Sequence, residues 1–365
     1  MRLVYTIPDF WPHVRRGSER VVHDLSVLMA RSGNDVTVVT RTPEGRGTTA
    51  RTEGFNVHYR PARPALSRLM GLRSVEGFAP LAATSVLVRR ADLYHTFHMV
   101  DAYAVSSLGP LLRSPVLFSY HGIPGRQWLK ANEPRLERWF SKALKQLDCV
   151  TVMTAHSAER LRDDYDVDPV VLTPGIFVSE YARRHEAPDG PTIVCAAAID
   201  DPRKRMDVLL DAFELAAGRR TDLRLWLVGY GEEAAVRRRV GAMPEGIGDR
   251  VRIEPVQDLA AAYARSTVGV LASSHEAFGL VVAEYLASGI PAVVSDDGGS
   301  PEILAPGTGF VFPVADASAC AEVLLEAVEM ASDVKTEAAC RERARIFDWS
   351  VRIGAYESLY RSLTA

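Results

Sequence analysis

Glu276 and Glu284 stand eight residues apart in the run His275-Glu276-Ala277-Phe278-Gly279-Leu280-Val281-Val282-Ala283-Glu284-Tyr285-Leu286-Ala287-Ser288-Gly289. Leu280, Val281, Ala283, Leu286 and Ala287 recur at helical spacing, so a buried helix is expected from about Leu280. Glu276 then falls in the loop before the helix, and Glu284 lies about a turn inside it, roughly 10 Å further on at about 1.5 Å per residue. The N–H groups of the first turn, at Phe278-Gly279-Leu280, are free of helical partners. With the positive end of the helix dipole behind them, they favour an anion. A carboxylate at each end of such a turn suits a sugar joined to a nucleoside diphosphate: Glu276 for the sugar hydroxyls, the turn for the diphosphate, Glu284 for the ribose.

A second group points to the same ligand. Asp200-Asp201-Pro202-Arg203-Lys204-Arg205 follows a predicted strand, Thr192–Ala197, and precedes a predicted helix from Met206. Fixed cations neutralise the charge that develops on a departing diphosphate without having to reorganise. Lys204 is the sole lysine between positions 146 and 334, in a chain where arginine is abundant. The bland reading of these residues is a solvated charge run; their place between strand and helix favours function.

The Glu-x7-Glu pair, the Phe-Gly-Leu turn, the exit Ala287-Ser288-Gly289-Ile290-Pro291 and the following Gly298-Gly299-Ser300-Pro301-Glu302-Ile303 together resemble retaining GT-B glycosyltransferases of glycosyltransferase family 4. The resemblance implies an α/β fold of two Rossmann-like domains facing each other across a cleft, and sugar transfer with retention at the anomeric carbon. It implies catalytic roles for Glu276, His121, Lys204 and Arg203, and donor binding by Gly17, Arg205, Phe278, Gly279, Leu280, Glu284 and Gly229. Family members often carry Gly-Arg followed by Lys-Gly where this chain has alanines ahead and Arg205 after Lys204. Whether Arg203 or Arg205 takes the arginine's role is open in the sequence. Near the N-terminus Gly17-Ser18-Glu19 stands where relatives have Gly-Gly before Glu, which leaves Gly17 as the phosphate or acceptor contact and Ser18 as a candidate helix cap. Val228-Gly229-Tyr230-Gly231 resembles the family's Gly-x-Gly turn.

Composition bounds the alternatives. The 365 residues suit two domains, 47% are hydrophobic, and a formal net charge of −3 gives no basic field for nucleic acid. No apolar run of about 18 residues is present, and the N-terminus enters a strand directly, which reads as a cytoplasmic protein. Cys149, Cys195, Cys320 and Cys340 show no paired spacing and read as reduced packing residues. Strand and helix patterns alternate, implying parallel sheets covered on both faces. The charged stretch from Glu180 to Pro191 is the candidate linker, so the expected domains are 1–185 and 190–350. The last helix, from about Val351, is expected to return to the first domain.

His121, in Tyr120-His121-Gly122 at the end of a predicted strand, matches the family histidine that contacts the donor sugar. His95 and His98 are three apart, but no third ligand accompanies them, so packing or acceptor contact is expected rather than a metal. Asp164-Tyr165-Asp166 has the Asp-x-Asp spacing of metal-dependent transferases, yet it precedes Asp168-Pro169 in what reads as a surface turn; no metal requirement is expected. Residues 60–73 hold four arginines among apolar residues and are a candidate for peripheral contact with anionic lipid, or for a mobile acceptor loop.

The reading is therefore a retaining, metal-independent hexosyltransferase that needs no cofactor. Its substrates would be a UDP- or GDP-sugar and a small-molecule, glycan or lipid acceptor. A nucleotide-sugar epimerase, a phosphorylase and a non-catalytic sugar-nucleotide binder share the architecture. Scarcity of lysine counts against a pyridoxal phosphorylase.

Overall fold

The computed structural model describes residues 1–42, 46–62, 67, 69, 71–73, 75–122, 125–183, 190–255 and 258–365. Part of the arginine-rich segment (63–66, 68 and 70) and most of the linker candidate (184–189) lie outside the described residues. The chain forms two compact units, Met1–Pro174 with Ile353–Ala365, and Gly175–Arg352.

The first unit is built on an eight-stranded sheet. Its strands are β1 (Arg2–Thr6), β2 (Asp35–Thr42), β3 (Thr48–Thr52), β4 (Phe55–Pro61), β5 (Leu93–Thr96), β6 (Val116–Tyr120), β7 (Cys149–Val152) and β8 (Val170–Val171), in the spatial order β3-β4-β2-β1-β5-β6-β7-β8. All neighbours are parallel except β3 and β4. The alternating pattern did not announce that hairpin, because β3 is exposed along its whole length and carries no hydrophobic face. Its turn is Glu53-Gly54, both at positive φ, between the paired Thr52 and Phe55. That is the geometry that matches strand twist in a two-residue hairpin.

The second unit has six parallel strands, β9 (Thr192–Ala198), β10 (Arg224–Tyr230), β11 (Val251–Pro255), β12 (Val268–Leu271), β13 (Ala292–Ser295) and β14 (Gly309–Phe312), in the order β11-β10-β9-β12-β13-β14. Helix Met206–Arg219 shows Val208, Leu209, Ala212, Phe213, Ala216 and Ala217 on one face, all buried. It packs with helix Ala317–Met330 over β9, β10 and β12. Each fully buried Leu or Phe there contributes about 1.5–3 kcal/mol. In both units strand order reverses beside the first strand, at β1/β5 and at β9/β12. Loops diverge at such a point, and ligands bind at the carboxyl ends of the strands that flank it.

Helix Trp349–Thr364 begins in the second unit and from Ile353 belongs to the first. There Tyr360 Oη lies 3.0 Å from Tyr5 Oη and 2.7 Å from His95 Nδ1. The chain of bonds continues from His95 Nε2 to Ser119 Oγ (2.7 Å) and on to Thr151 Oγ1 (2.6 Å). All of these residues are buried, so an interrupted chain leaves polar atoms without water. Tyr360→Phe is expected to cost about 1–3 kcal/mol in urea unfolding, since two buried groups lose a partner.

Candidate functional site

The loop after β9 and the loop after β12 face each other at the reversal point of the second unit. Asp201 starts a 3-10 turn, Pro202–Lys204, by accepting the Arg203 N–H (3.0 Å) and both sides of the Arg203 guanidinium (3.1 and 2.6 Å). The Arg203 carbonyl accepts the Ser274 N–H at 2.7 Å, which ties the two loops through the backbone. Lys204 Nζ then donates to Glu276 Oε2 at 2.6 Å, with each side chain about 20% exposed. Glu276 is itself clamped: its carbonyl accepts the Gly299 N–H (2.8 Å) and its N–H donates to the Asp297 carbonyl (3.3 Å). Gly298 sits at φ +132 with its missing Cβ 2.2 Å from the Glu276 carbonyl, so no other residue fits there. The Gly298-Gly299 pair holds the acid in place, and Ser300–Ile303 is a 3-10 turn.

Helix Leu280–Ala287 starts where its pattern predicted. Gly279, at φ +92, is its cap and offers no side chain to the first-turn N–H groups. Phe278 is buried, and Leu280 and Val281 are half-buried. Glu284 is 1% exposed and accepts the Tyr263 hydroxyl at 3.0 Å. The picture of two accessible carboxylates flanking one turn therefore applies to Glu276 alone. Burial, then the neighbouring Glu284 charge, pushes the Tyr263 hydroxyl well above its ordinary range, so it stays a donor.

Tyr285 was not singled out by its sequence. β9 and β12 pair only at Ile193↔Val268 and Val194↔Gly269. Beyond that the strands part, and the Tyr285 hydroxyl stands between them, accepting the Ala196 N–H (2.9 Å) and donating to the Val270 carbonyl (3.4 Å). Its ring lies where a Cβ on Gly269 would be, 2.2 Å away. The one legible signal was a glycine inside an otherwise branched strand, which marks close approach. Gly229 has a similar cause: a Cβ there would sit 1.9 Å from the Ala197 carbonyl on β9. It is buried strand packing, while the exposed Tyr230 stands next to it.

Arg203 and Arg205 differ. Arg205 caps helix Met206–Arg219 at φ 48 and pairs with Asp207 at 2.8 Å. Arg203 is held above its usual range by its hydrogen bonds to Asp201 and by the charges of Asp201 and Glu276, so it shares the field of the Lys204–Glu276 pair.

In the first unit, helix Gly17–Arg31 begins at Gly17 itself, with Arg16 at the cap and no side-chain bond. Ser18 is thus inside the first turn and does not cap it. Glu19 is buried with Oε2 unpartnered among the described residues, and burial pushes it to about 7. Asp101, also raised to about 7 by burial, accepts Thr6 Oγ1 (2.6 Å) and the Phe97 N–H (3.2 Å). Burial lowers His98 to about 4 and His121 to about 3. The His121 ring lies tilted against Phe97, 5.5 Å between centroids, and its buried Nδ1 has no partner among the described residues. His95 is fully buried in the tyrosine network. The Asp-x-Asp stretch ends helix Ala155–Tyr165, with Asp164 accepting the Arg126 N–H at 2.9 Å and Asp166 at φ 54. Among the described residues no cluster of three metal-ligating side chains occurs, and no helix is long and apolar enough to cross a membrane.

Residues 15–180 match the family described as Glycosyltransferase Family 4, and residues 190–330 match Glycosyl transferases group 1. A phosphatidyl-myo-inositol mannosyltransferase of Mycobacterium leprae is 31% identical over 48% of this chain and 47% of its own, so the match spans about half of that relative. A GDP-mannose-dependent alpha-mannosyltransferase of Mycobacterium tuberculosis is 29% identical over 87% of this chain and 85% of its own. Among solved structures, sucrose-phosphate synthase from Thermosynechococcus elongatus superposes with a TM-score of 0.84 at 22% identity, covering 99% of this chain and 98% of that one.

Two substitutions test the geometry. Gly269→Ala drives a methyl group into the Tyr285 ring and should cost about 1–3 kcal/mol in the unfolding of the second unit. Glu19 has a folded-state value above its unfolded one, so its contribution is favourable at low pH and is lost as pH rises from about 4.5 through about 7. Glu19→Gln is therefore expected to gain stability relative to the parent between pH 4.5 and pH 8, by up to about 3 kcal/mol. Parallel thermal melts across that range would show the two curves diverging as pH rises.

Proposed function

The chain belongs to glycosyltransferase family 4, with a group 1 glycosyl transferase region and the GT-B fold, and we propose that it moves a hexose from a nucleoside diphosphate sugar to an acceptor hydroxyl with retention of configuration. The Lys204–Glu276 pair carries this reading. An incoming sugar diphosphate offers hydroxyls to the carboxylate and an anion to the ammonium, so both groups exchange one partner for another without moving far. Lys204, Arg203 and the first turn at Phe278, Gly279 and Leu280 would take the departing diphosphate, and these fixed cations and dipoles make a metal unnecessary. A ribose contact from Glu284 requires that carboxylate to become accessible when donor binds. His121, held neutral by burial, would meet the sugar as a hydrogen-bonding group, because an imidazole that titrates near 3 is a poor base at neutral pH. The acceptor proton then passes to the leaving phosphate on the same face of the sugar.

GDP-mannose is the donor we favour, on the name of the relative that covers most of the chain. The acceptor would be a glycan or a lipid headgroup, with residues 60–73 as the segment that would touch an anionic membrane. Thermal shift with GDP-mannose and UDP-glucose checks the base. Lys204→Ala and Glu276→Gln should each lower kcat/KM by about 10²–10³-fold with circular dichroism unchanged. Turnover unaffected in both would remove the assignment. Incubation with donor alone separates transfer from epimerisation, which needs no acceptor.

A further inference from the structure

Three basic side chains lie near one another on the β3–β4 side of the first unit, and among the described residues no acid pairs with them. His58 and Arg60 are two apart on β4 and so share a face. Arg89, just beyond helix Phe78–Leu87, donates to the Ser85 carbonyl (3.0 Å) and to His58 Nδ1 (2.9 Å). Thr49 Oγ1, from β3, lies 2.9 Å from the same ring nitrogen. A guanidinium only donates, so His58 Nδ1 accepts and the ring proton is on Nε2. Arg41 is the neighbour of Arg60 on β2, but it is committed to Asp9 (2.6 Å) and the Pro8 carbonyl (3.2 Å). Arg60 makes no hydrogen bond or ion pair among the described residues, and its Nε is buried. The chain from residue 60 to 75 holds no Asp or Glu.

The Arg60 charge is unfavourable for both of the others. Burial, then the Arg60 charge, lowers Arg89; burial, then Arg89 and Arg60, lowers His58. A half-buried cation without a partner is unfavourable unless something supplies the opposite charge. The Arg60 fork, the remaining N–H groups of Arg89 and an imidazole N–H match the tetrahedral oxygens of a phosphate. We propose that Arg60, Arg89 and His58 form a phosphate site, and that its occupant is the phosphate group of a phosphorylated acceptor. The second half of that statement rests on the transfer reading; the anion site itself does not.

Inorganic phosphate titrated into the full chain tests it, with the His58 ring resonance followed by NMR and assigned through His58→Gln. Bound phosphate should raise the pH at which His58 titrates. Arg60→Gln should weaken the response by about tenfold or more, and Arg60→Lys should recover only part of it, because the fork is lost. Lys204→Ala, which alters the second unit, should leave the response intact even if the transfer reading fails. Vesicles containing phosphatidylinositol should act at lower phosphate concentration if the group belongs to a lipid headgroup; soluble myo-inositol phosphate should do so if it does not. A His58 resonance that phosphate does not move, or an Arg60→Gln protein that responds like the parent, overturns the proposal.

Discussion

The Tyr285 hydroxyl stands where strand pairing between β9 and β12 stops. Two adjacent parallel strands that diverge expose an N–H and a carbonyl, and buried backbone groups without partners are costly. One phenol satisfies both, because its oxygen accepts from Ala196 while its proton goes to Val270. The ring that carries it needs the space at Gly269. Helix Leu280–Ala287, which supplies Tyr285, is in turn fixed against the sheet, and with it the turn at Gly279 and the approach of Glu276. Separation of the strands and position of the acid are thus one constraint.

The two units use opposite electrostatics. Around β9 and β12 the groups are ionised and paired: Asp201 with Arg203, and Lys204 with Glu276. Around β1 and β5 burial pushes titratable groups toward neutrality, with His98 and His121 lowered and Glu19 and Asp101 raised. Ionised, preorganised groups suit a ligand that carries charge, such as a diphosphate. A neutral, desolvated lining leaves buried donors and acceptors that hydroxyl groups can satisfy by hydrogen bonding.

Much of this was legible because the informative residues are local. The helix from Leu280, the start at Met206 and the loop position of Glu276 follow from hydrophobic spacing over a few turns. What escaped was non-local or lacked a hydrophobic signature. β3 has no buried face, so periodicity is silent there. Tyr285 reads as one more apolar helix residue, since its partners Ala196 and Val270 are remote in sequence. Glu284 has the right spacing to flank the turn, but which way a helical side chain faces depends on Tyr263 across the core. Ser18 resembles a cap by type, yet the helix begins one residue earlier, at Gly17.

The departure from the family's Lys-Gly step has a physical account in Arg205. Its φ of 48 and ψ of 49 are left-handed, the region that glycine enters freely and other residues enter at a cost on the order of 1–2 kcal/mol. The chain turns there, between the 3-10 turn that ends at Lys204 and the helix that begins at Met206. Arginine is tolerated because its guanidinium reaches Asp207 in the first helical turn, at 2.8 to 3.2 Å from both carboxylate oxygens. That bond offsets strain and at the same time ties the side chain to its own helix. Both arginines are engaged by neighbouring carboxylates, Arg203 by Asp201 and Arg205 by Asp207; Arg203 differs in that its guanidinium also lies in the field of Glu276 and its carbonyl bonds the opposite loop.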